Sequence, residues 1–153
     1  MKILIGADDS KFSAHVVRAV VAQFRAENTE ILVLHVLQPV ALSEPPEMAA
    51  GYAPELESQK QPANELVGRV AEELRSAGFK ADTAVEVGDV RESLIDAAAA
   101  WHADLIVVGS HGQSGLRRFL LGSVAEFVAR HATCSVESFA PPSASDRAAR
   151  FCA

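Results

Sequence analysis

Five short runs of apolar residues alternate along the chain with segments in which apolar residues recur every three or four positions. The runs have strand length and lie at residues 3–7, 31–37, 81–87, 105–108 and 135–139. The periodic segments are typical of amphipathic helices that cover a core. The first of them carries Phe12, Val16, Val20 and Phe24. Strand and helix are therefore predicted to alternate from one end to the other.

Local signals predict where the later helices begin and end. Pro62 suits the first turn of a helix and Gly78 suits its end, which predicts the second helix between them. Two pairs of residues have the spacing of an N-terminal capping box, and they are Asp89 with Glu92 and Ser123 with Glu126. These pairs predict the starts of the third and fourth helices.

Residues 38–61 interrupt the alternation. This segment has no apolar periodicity and is broken by Pro39, Pro45, Pro46, Gly51 and Pro54. It is predicted to be a variable loop, and loops of this length are usually lids, partner surfaces or mobile segments. With 153 residues in all, we expect one domain over residues 1–140, including this loop, and a peripheral tail over residues 141–153.

The alternation predicts an α/β fold. Near-continuous apolar strands are typical of strands covered on both faces. Connections through helices favour a single five-stranded parallel sheet with helices on both faces. Ligands of such sheets bind beyond the carboxyl ends of the strands, where the strand order reverses. Functional residues are therefore expected in the loops that follow the strands.

Composition narrows the class of partner. Lys and Arg total 14 against 20 Asp and Glu, so the net charge of −6 argues against nucleic acid. No window approaches the ~18 apolar residues of a membrane span. The start Met1-Lys2-Ile3 leads into a strand rather than a signal peptide. We expect a cytoplasmic protein with no membrane partner, in which Cys134 and Cys152 stay reduced.

A glycine-bearing loop follows the fourth strand. It reads Gly109-Ser-His-Gly112-Gln-Ser-Gly115, and Gly122-Ser123 stands directly before the next helix. Glycine lets backbone amides approach a ligand closely, and a helix N-terminus offers unpaired N–H groups and a positive dipole. The loop therefore predicts a phosphate cradle. It is neither a P-loop nor a G-x-G-x-x-G motif, and Arg117 and Arg118 are interpreted as a solvated pair.

The spacing of the glycines carries a family resemblance. Gly109, two residues, Gly112, nine residues and then Gly122-Ser123 resembles the nucleotide-binding signature of the universal stress protein family. Ile3-Leu4 through Ala7-Asp8 and Ser10 is similar to the first strand and acidic turn of that family. His35-Val36 is similar to its second strand. The resemblance runs from residue 2 to about Phe139.

The resemblance implies a dimeric, Rossmann-like (adenine nucleotide alpha hydrolase-like) domain that acts in stress response. It implies ATP, or ADP or AMP, with Mg²⁺ or Mn²⁺ held by the phosphates rather than by protein side chains. The implied adenine and ribose pocket consists of Ala7, Asp8, Val36, Val108 and Gly109. The implied phosphate site consists of Gly112, Gly122, Ser123 and Val124. No catalytic residue is implied.

Several of these residues have a simpler interpretation. The Asp8 carboxylate suits a sugar hydroxyl or an exocyclic amine and would repel phosphate, but Asp8 could instead cap the first helix, as could Asp9 or Ser10. Ser123 could be mainly a cap, and the glycines could be turn residues. The homodimer is expected to form through the last strand. Its geometry stays open, because Ser135 replaces the usual proline and Glu137 interrupts the apolar pattern.

We expect a regulatory nucleotide-binding module with little or no ATP turnover. A slow ATPase or phosphotransferase using the same site stays open, although the loop has no lysine and no catalytic carboxylate is evident. A dimeric interaction protein without nucleotide is the other alternative. A flavin carrier ranks last, since Tyr52 and Trp101 are the only Tyr and Trp. Ser110-His111 lacks an orienting acid, and the histidines lack zinc-ligand spacing.

Overall fold

The computed structural model describes residues 1–8, 13–38, 52–109 and 122–139. Strands and helices alternate within these ranges. The strands are β1 (Lys2–Gly6), β2 (Glu30–Leu37), β3 (Lys80–Val87), β4 (Leu105–Gly109) and β5 (Ser135–Phe139). The helices are α1 (Ser13–Gln23), α2 (Tyr52–Ser76), α3 (Val90–Trp101) and α4 (Ser123–His131), with a short 3₁₀-helix at Ala26–Asn28. No helix in the described ranges combines the length and apolar character needed to cross a bilayer.

The strands form one parallel sheet in the order β3-β2-β1-β4-β5. β1 is the central strand, and its Ile5 lies opposite Val33 of β2 and Val107 of β4. The chain moves outward through β2 and β3 on one side of β1 and through β4 and β5 on the other. The strand order therefore reverses between β1 and β4. The predicted α/β fold with a five-stranded parallel sheet is confirmed.

Each face of the sheet buries its own apolar cluster. The first cluster joins α1 and α2 to strand residues such as Ile3, Ile5 and Val107. The second joins α3 and α4 to strand residues such as Leu4 and Ile106. Successive residues of one strand enter opposite clusters because side chains alternate across a sheet. Helices therefore cover both faces, as predicted.

Helix α2 begins at Tyr52 rather than at Pro62, so the end of the predicted loop, residues 52–61, is helical. Proline was a misleading signal of a loop at this position, for a physical reason. Pro54 is the third residue of the helix, where a backbone N–H has no intrahelical partner to lose. Pro62 lies inside the helix and forfeits one backbone hydrogen bond there. Residues 39–51 lie outside the described ranges, as does the predicted tail from residue 141.

Hydrogen bonds made by side chains within α2 support the helix on both sides of Pro62. The described bonds are Lys60 Nζ to Glu57 Oε2 at 2.8 Å, Gln61 Nε2 to Glu65 Oε1 at 3.1 Å and Asn64 Nδ2 to the Lys60 carbonyl oxygen at 2.8 Å. Contacts between residues three or four positions apart support a helix by a few tenths of a kcal/mol each, roughly. The end of the helix follows the prediction, because Gly78 has a φ of 94°.

The start of α3 is also as predicted. Asp89 Oδ1 accepts hydrogen bonds from the backbone N–H groups of Arg91, at 2.9 Å, and Glu92, at 3.3 Å. The Arg91 guanidinium donates to the same carboxylate at 3.1 and 2.9 Å. The Arg91 side chain, together with these backbone bonds, lowers the pKa of Asp89 to about 2. The cap therefore stays charged well into the acidic range.

The packing of α3 on the sheet requires a very small residue at position 6. A Cβ atom built on Gly6 would lie 3.1 Å from Leu94 Cδ2 and 3.3 Å from Val108 Cγ1. Leu94 is buried in the second cluster with Val108. A larger side chain at Gly6 would therefore push α3 away from the junction of β1 and β4.

Gly6→Val is expected to lower the free energy of unfolding by about 1–3 kcal/mol, because it overpacks the contact with Leu94. Gly68→Ala in α2 is the matched control, since a Cβ there meets nothing within 4 Å. Alanine favours a helix over glycine, so this control should gain about 0.5–1 kcal/mol. Urea unfolding measures both changes. Equal stability of the two variants would contradict the packing argument.

Candidate functional site

The carboxyl ends of β1 and β4 lie side by side where the strand order reverses. Ile5 and Val107 form the last pair between these strands, and β1 ends one residue and β4 two residues beyond it, at Gly6 and Gly109. We call the space beyond these two strand ends the switch-point crevice. Open parallel sheets bind their ligands at this location. The structure thus brings the end of the first strand and the end of the fourth strand together, as the predicted site requires.

Three of the predicted site residues pack in one cluster beneath the switch-point crevice. Val36 and Val108 belong to the second apolar cluster and are buried, and Val124 of α4 is a partly buried neighbour. Ala7 is buried in the first cluster, on the opposite face of the sheet. Val36, Val108 and Val124 share one face of the sheet and are called the apolar floor, and Ala7 lies on the other face. They bring β1, β2, β4 and the first turn of α4 together at the same end of the sheet.

Polar groups of the predicted site are more accessible than this floor. Asp8 and Gly109 are half-buried, as is Gly122, while Ser123 is exposed. α1 is described from Ser13, and residues 9–12 before it lie outside the described ranges. A capping role for Asp8 therefore stays a prediction, as does its contact with a ligand.

The first turn of α4 differs from the prediction. Gly122 is the N-cap residue and Ser123 is the first helical residue, with no side-chain hydrogen bond capping the helix. The predicted capping box of Ser123 and Glu126 is therefore wrong. The physical reason is that the helix begins one residue earlier than predicted. Gly122 is the N-cap residue, and it has no side chain. The exposed Ser123 hydroxyl stands at the start of the helix instead.

Part of the predicted site lies outside the described ranges. Residues 110–121, which include Gly112 and the pair Arg117 and Arg118, belong to that part, as do Asp9 and Ser10. The structure therefore describes eight of the nine predicted site residues, and Gly112 is the ninth. Their roles stay predictions at this point.

Charged and aromatic groups meet along α3 and α4, and none of them is a predicted site residue. The Arg91 guanidinium lies 5.3 Å from the centre of the Phe127 ring, and Phe127 stacks on His131 with ring centres 4.1 Å apart. Among the described residues, no three His, Cys, Asp or Glu side chains gather as a metal site. Cys134 is a half-buried free thiol, and burial raises its pKa.

Sequence reasoning did not reveal the contact that one residue makes near the site. His35 is half-buried in β2, and its ring has a partner, because Nδ1 lies 2.8 Å from the carbonyl oxygen of Ala7. This contact reaches the backbone one residue beyond β1, directly before Asp8. The available signal was a single polar ring in the apolar run 31–37, but that pattern does not reveal which group the ring contacts.

Comparison with known proteins identifies the family. The universal stress protein family model matches residues 1–136 of the chain. The chain belongs to the universal stress protein family. A universal stress protein from Synechocystis sp. is 32% identical over 146 residues, covering 88% of this chain and 94% of the relative.

Solved structures of related proteins have the same fold. A hypothetical protein of Methanocaldococcus jannaschii superimposes with a TM-score of 0.81 at 26% identity, covering 94% of this chain and 97% of the other. A crystal structure of a universal stress protein in complex with cAMP has a TM-score of 0.63 at 25% identity, covering 92% and 96%. These similarities extend over nearly the whole of each chain.

Two more distant family structures also contain adenine nucleotides. The universal stress protein from Archaeoglobus fulgidus is in complex with dAMP; it is 23% identical, with a TM-score of 0.60 and coverage of 90% and 96%. A family member from Arabidopsis thaliana has AMP bound; it is 18% identical, with a TM-score of 0.68 and coverage of 95% and 94%. At these identities the similarity to our chain is one of fold.

Ser123→Ala should change the free energy of unfolding by less than about 0.5 kcal/mol, because no capping bond is lost. A serine that served as the N-cap would cost about 1 kcal/mol on the same change. Asp89→Ala is the positive control, since that side chain does cap its helix and its loss should lower the melting temperature. Thermal and urea unfolding measure both variants. A clear loss of stability in Ser123→Ala would restore the capping interpretation.

Proposed function

We propose that this chain is a cytoplasmic, homodimeric nucleotide-binding module that holds ATP, or ADP or AMP, in the switch-point crevice with little or no turnover. The nucleotide would serve as a signal in stress response. The observation that carries the proposal is the packing of Val124, in the first turn of α4, against the cluster of Val36 and Val108 at the carboxyl end of the sheet. The related structure in complex with cAMP, at 25% identity, supports an adenine nucleotide as the ligand.

The proposed division of the site follows the chemistry of its residues. Val36 and Val108 supply an apolar floor, which suits the face of an adenine ring. Asp8 is a hydrogen-bond acceptor and suits a ribose hydroxyl or the exocyclic amine of adenine. Ala7 and Gly109 would complete this pocket. Placing the carboxylate at this end keeps it away from the phosphates, which it would repel.

The start of α4 suits the phosphates. The first backbone N–H groups of a helix lack intrahelical partners and carry positive dipole, so they favour an anion. Gly122 presents no side chain over this turn, and Ser123 adds an exposed hydroxyl. Gly122, Ser123 and Val124 would therefore hold the phosphates together with Gly112. The net charge of −6 does not oppose this, because salt screens distant charges beyond about 10 Å.

A divalent ion fits this proposal only through the nucleotide. Mg²⁺ commonly binds phosphate oxygens and waters with few protein ligands. Asp8 is the single half-buried carboxylate among the described residues of the proposed site, and we assign it to the nucleoside end. Mg²⁺ or Mn²⁺ would thus be held by the phosphates, where it would offset their charge.

Isothermal titration with ATP, ADP and AMP, each with and without Mg²⁺, tests the proposal. Wild-type protein should bind at least one of them with submillimolar affinity. Asp8→Ala should weaken binding about tenfold or more, because a hydrogen bond to a charged group is lost. Ser123→Ala should weaken the binding of ATP and leave the binding of adenosine unchanged. Asp82→Ala, on an exposed position of β3 far from the site, is the matched control.

The outcomes separate the alternatives. Absence of binding by all three nucleotides would defeat the proposal and favour an interaction protein without nucleotide. Release of phosphate from ATP at enzyme-like rates, above about 1 per second, would favour the ATPase alternative. Equal loss of affinity in Asp82→Ala would show that the effect of Asp8→Ala is not specific to the site.

The proposed homodimer would form along the edge of β5 that faces away from β4, which we call the open edge because no described strand pairs with it. The Ser135 N–H donates to the Asp104 carbonyl at 3.3 Å, so Ser135 and alternate residues after it bond toward β4. The backbone groups of Val136 and Ser138 then face the open edge. Glu137 does not obstruct this edge, because its carboxylate accepts hydrogen bonds from Gln23 Nε2 of α1 at 2.9 and 3.1 Å.

Ser138→Pro is expected to convert the dimer to monomer with the fold intact, because it removes an N–H from the open edge and not from the β4–β5 ladder. Thr83→Pro is the matched control, since it removes an outward-facing N–H from β3 at the opposite edge. Native mass spectrometry measures the oligomeric state and circular dichroism the fold. A monomeric wild type, or a dimer that persists in Ser138→Pro, would contradict the proposed interface.

A further inference from the structure

The hydrogen-bond ladder between β1 and β2 is completed by a side chain. Its last residue pair is Gly6 opposite Leu34, after which the Ala7 N–H donates to the Leu34 carbonyl at 2.8 Å. The carbonyl oxygen of Ala7 lies 2.8 Å from His35 Nδ1. A carbonyl oxygen only accepts, so Nδ1 carries the hydrogen in this contact. The neutral ring then has its other nitrogen, Nε2, unprotonated.

This contact determines the direction of the next backbone donor. The Ala7 carbonyl and the Asp8 N–H belong to one planar trans peptide, in which the two groups point opposite ways. The His35 ring holds the carbonyl on the β2 side. The Asp8 N–H is therefore directed to the β4 side, where Val108 and Gly109 end their strand. The orientation of the first peptide beyond β1 thus depends on an imidazole from β2.

His35 is well placed to hold this peptide because β2 is itself fixed there. β2 pairs with β3 through Leu37, with His35 opposite Val85 and Leu37 opposite Val87. Val36, next in the chain, is buried in the second cluster. The ring therefore extends from a strand that stays hydrogen-bonded on its far side, while β1 is ending. A rigid support is what a binding residue on a departing chain needs.

We infer that His35 is a positioning residue for the switch-point crevice: its Nδ1–H fixes the Ala7–Asp8 peptide and so presents the Asp8 backbone and side chain to the ligand. The inference deepens the proposed function and relies on it for the identity of the ligand. The hydrogen bond and its effect on Asp8 are properties of the chain itself. The ring needs no contact with the nucleotide for this role.

Three substitutions test the inference. His35→Leu removes the donor and keeps an apolar side chain in the strand. His35→Asn keeps a donor, because Asn Nδ2 and His Nδ1 are the same number of bonds from Cα. His131→Leu is the matched control, since His131 Nδ1 also lies 2.8 Å from a backbone carbonyl, that of Phe127, at the exposed end of α4. Unfolding curves first establish that each variant is folded.

Nucleotide affinity is the first measurement. His35→Leu should weaken binding of the nucleotide that wild type prefers by about tenfold, because a smaller fraction of molecules then holds the Ala7–Asp8 peptide in the orientation that binds. His35→Asn should stay within about threefold of wild type, and His131→Leu should not differ from it. Wild-type affinity in folded His35→Leu, or equal losses in the Leu and Asn variants, would overturn the inference.

NMR supplies a measurement that does not need a ligand. Nitrogen-15 spectra of the imidazole should show the hydrogen on Nδ1 of His35. The backbone amide signal of Asp8 should shift in His35→Leu, return toward its wild-type position in His35→Asn and stay unchanged in His131→Leu. If wild type binds no adenine nucleotide, the proposed function fails, and these spectra still decide the role of His35. An Nε2–H tautomer, or an unmoved Asp8 signal in His35→Leu, would refute it.

Discussion

Every peptide group of the central strand must find a hydrogen-bond partner in the buried sheet, and this requirement organises the molecule around β1. The strand has five residues, and its residues pair with β2 on one side and β4 on the other. Buried backbone donors and acceptors are costly when unpaired. Pairing the backbone groups on both edges of this short strand requires the two flanking strands. The helices that connect the strands then form the two apolar clusters on the faces of the sheet.

The site described here is made mostly of backbone and small residues. Gly109 and Gly122 bring no side chains to it, and Ala7 brings only a methyl group, so the chain can approach a ligand closely. If it binds the proposed nucleotide, its specificity would depend on where peptide groups point rather than on a set of charged side chains. In that proposal, residues one step removed from the ligand, such as Gly6 beneath α3 and His35 beside β1, would matter as much as those that contact it.

Most of the fold could be predicted from the sequence because strand and helix periodicities are strong local signals. The run 31–37 became the strand Glu30–Leu37, and the other strands agree equally well. The start of α2 at Tyr52 was missed, since proline signals turns in general but costs little in the first turn of a helix. The cap of α4 was misplaced by one residue. The contact of His35 with Ala7 was beyond sequence reasoning, because it joins positions that only strand pairing brings together.

Helix α2 has two parts with different attachments. From residue 63 onward its inner side is buried against the sheet by Ala63, Leu66, Val67, Val70, Ala71 and Leu74. Between residues 56 and 62 no side chain is buried. Within the first part Lys60 bonds to Glu57, and Pro62 lies where the two parts join. Such a helix opens in stages: its leading turns can fray while the remainder stays in the cooperative unit of the sheet.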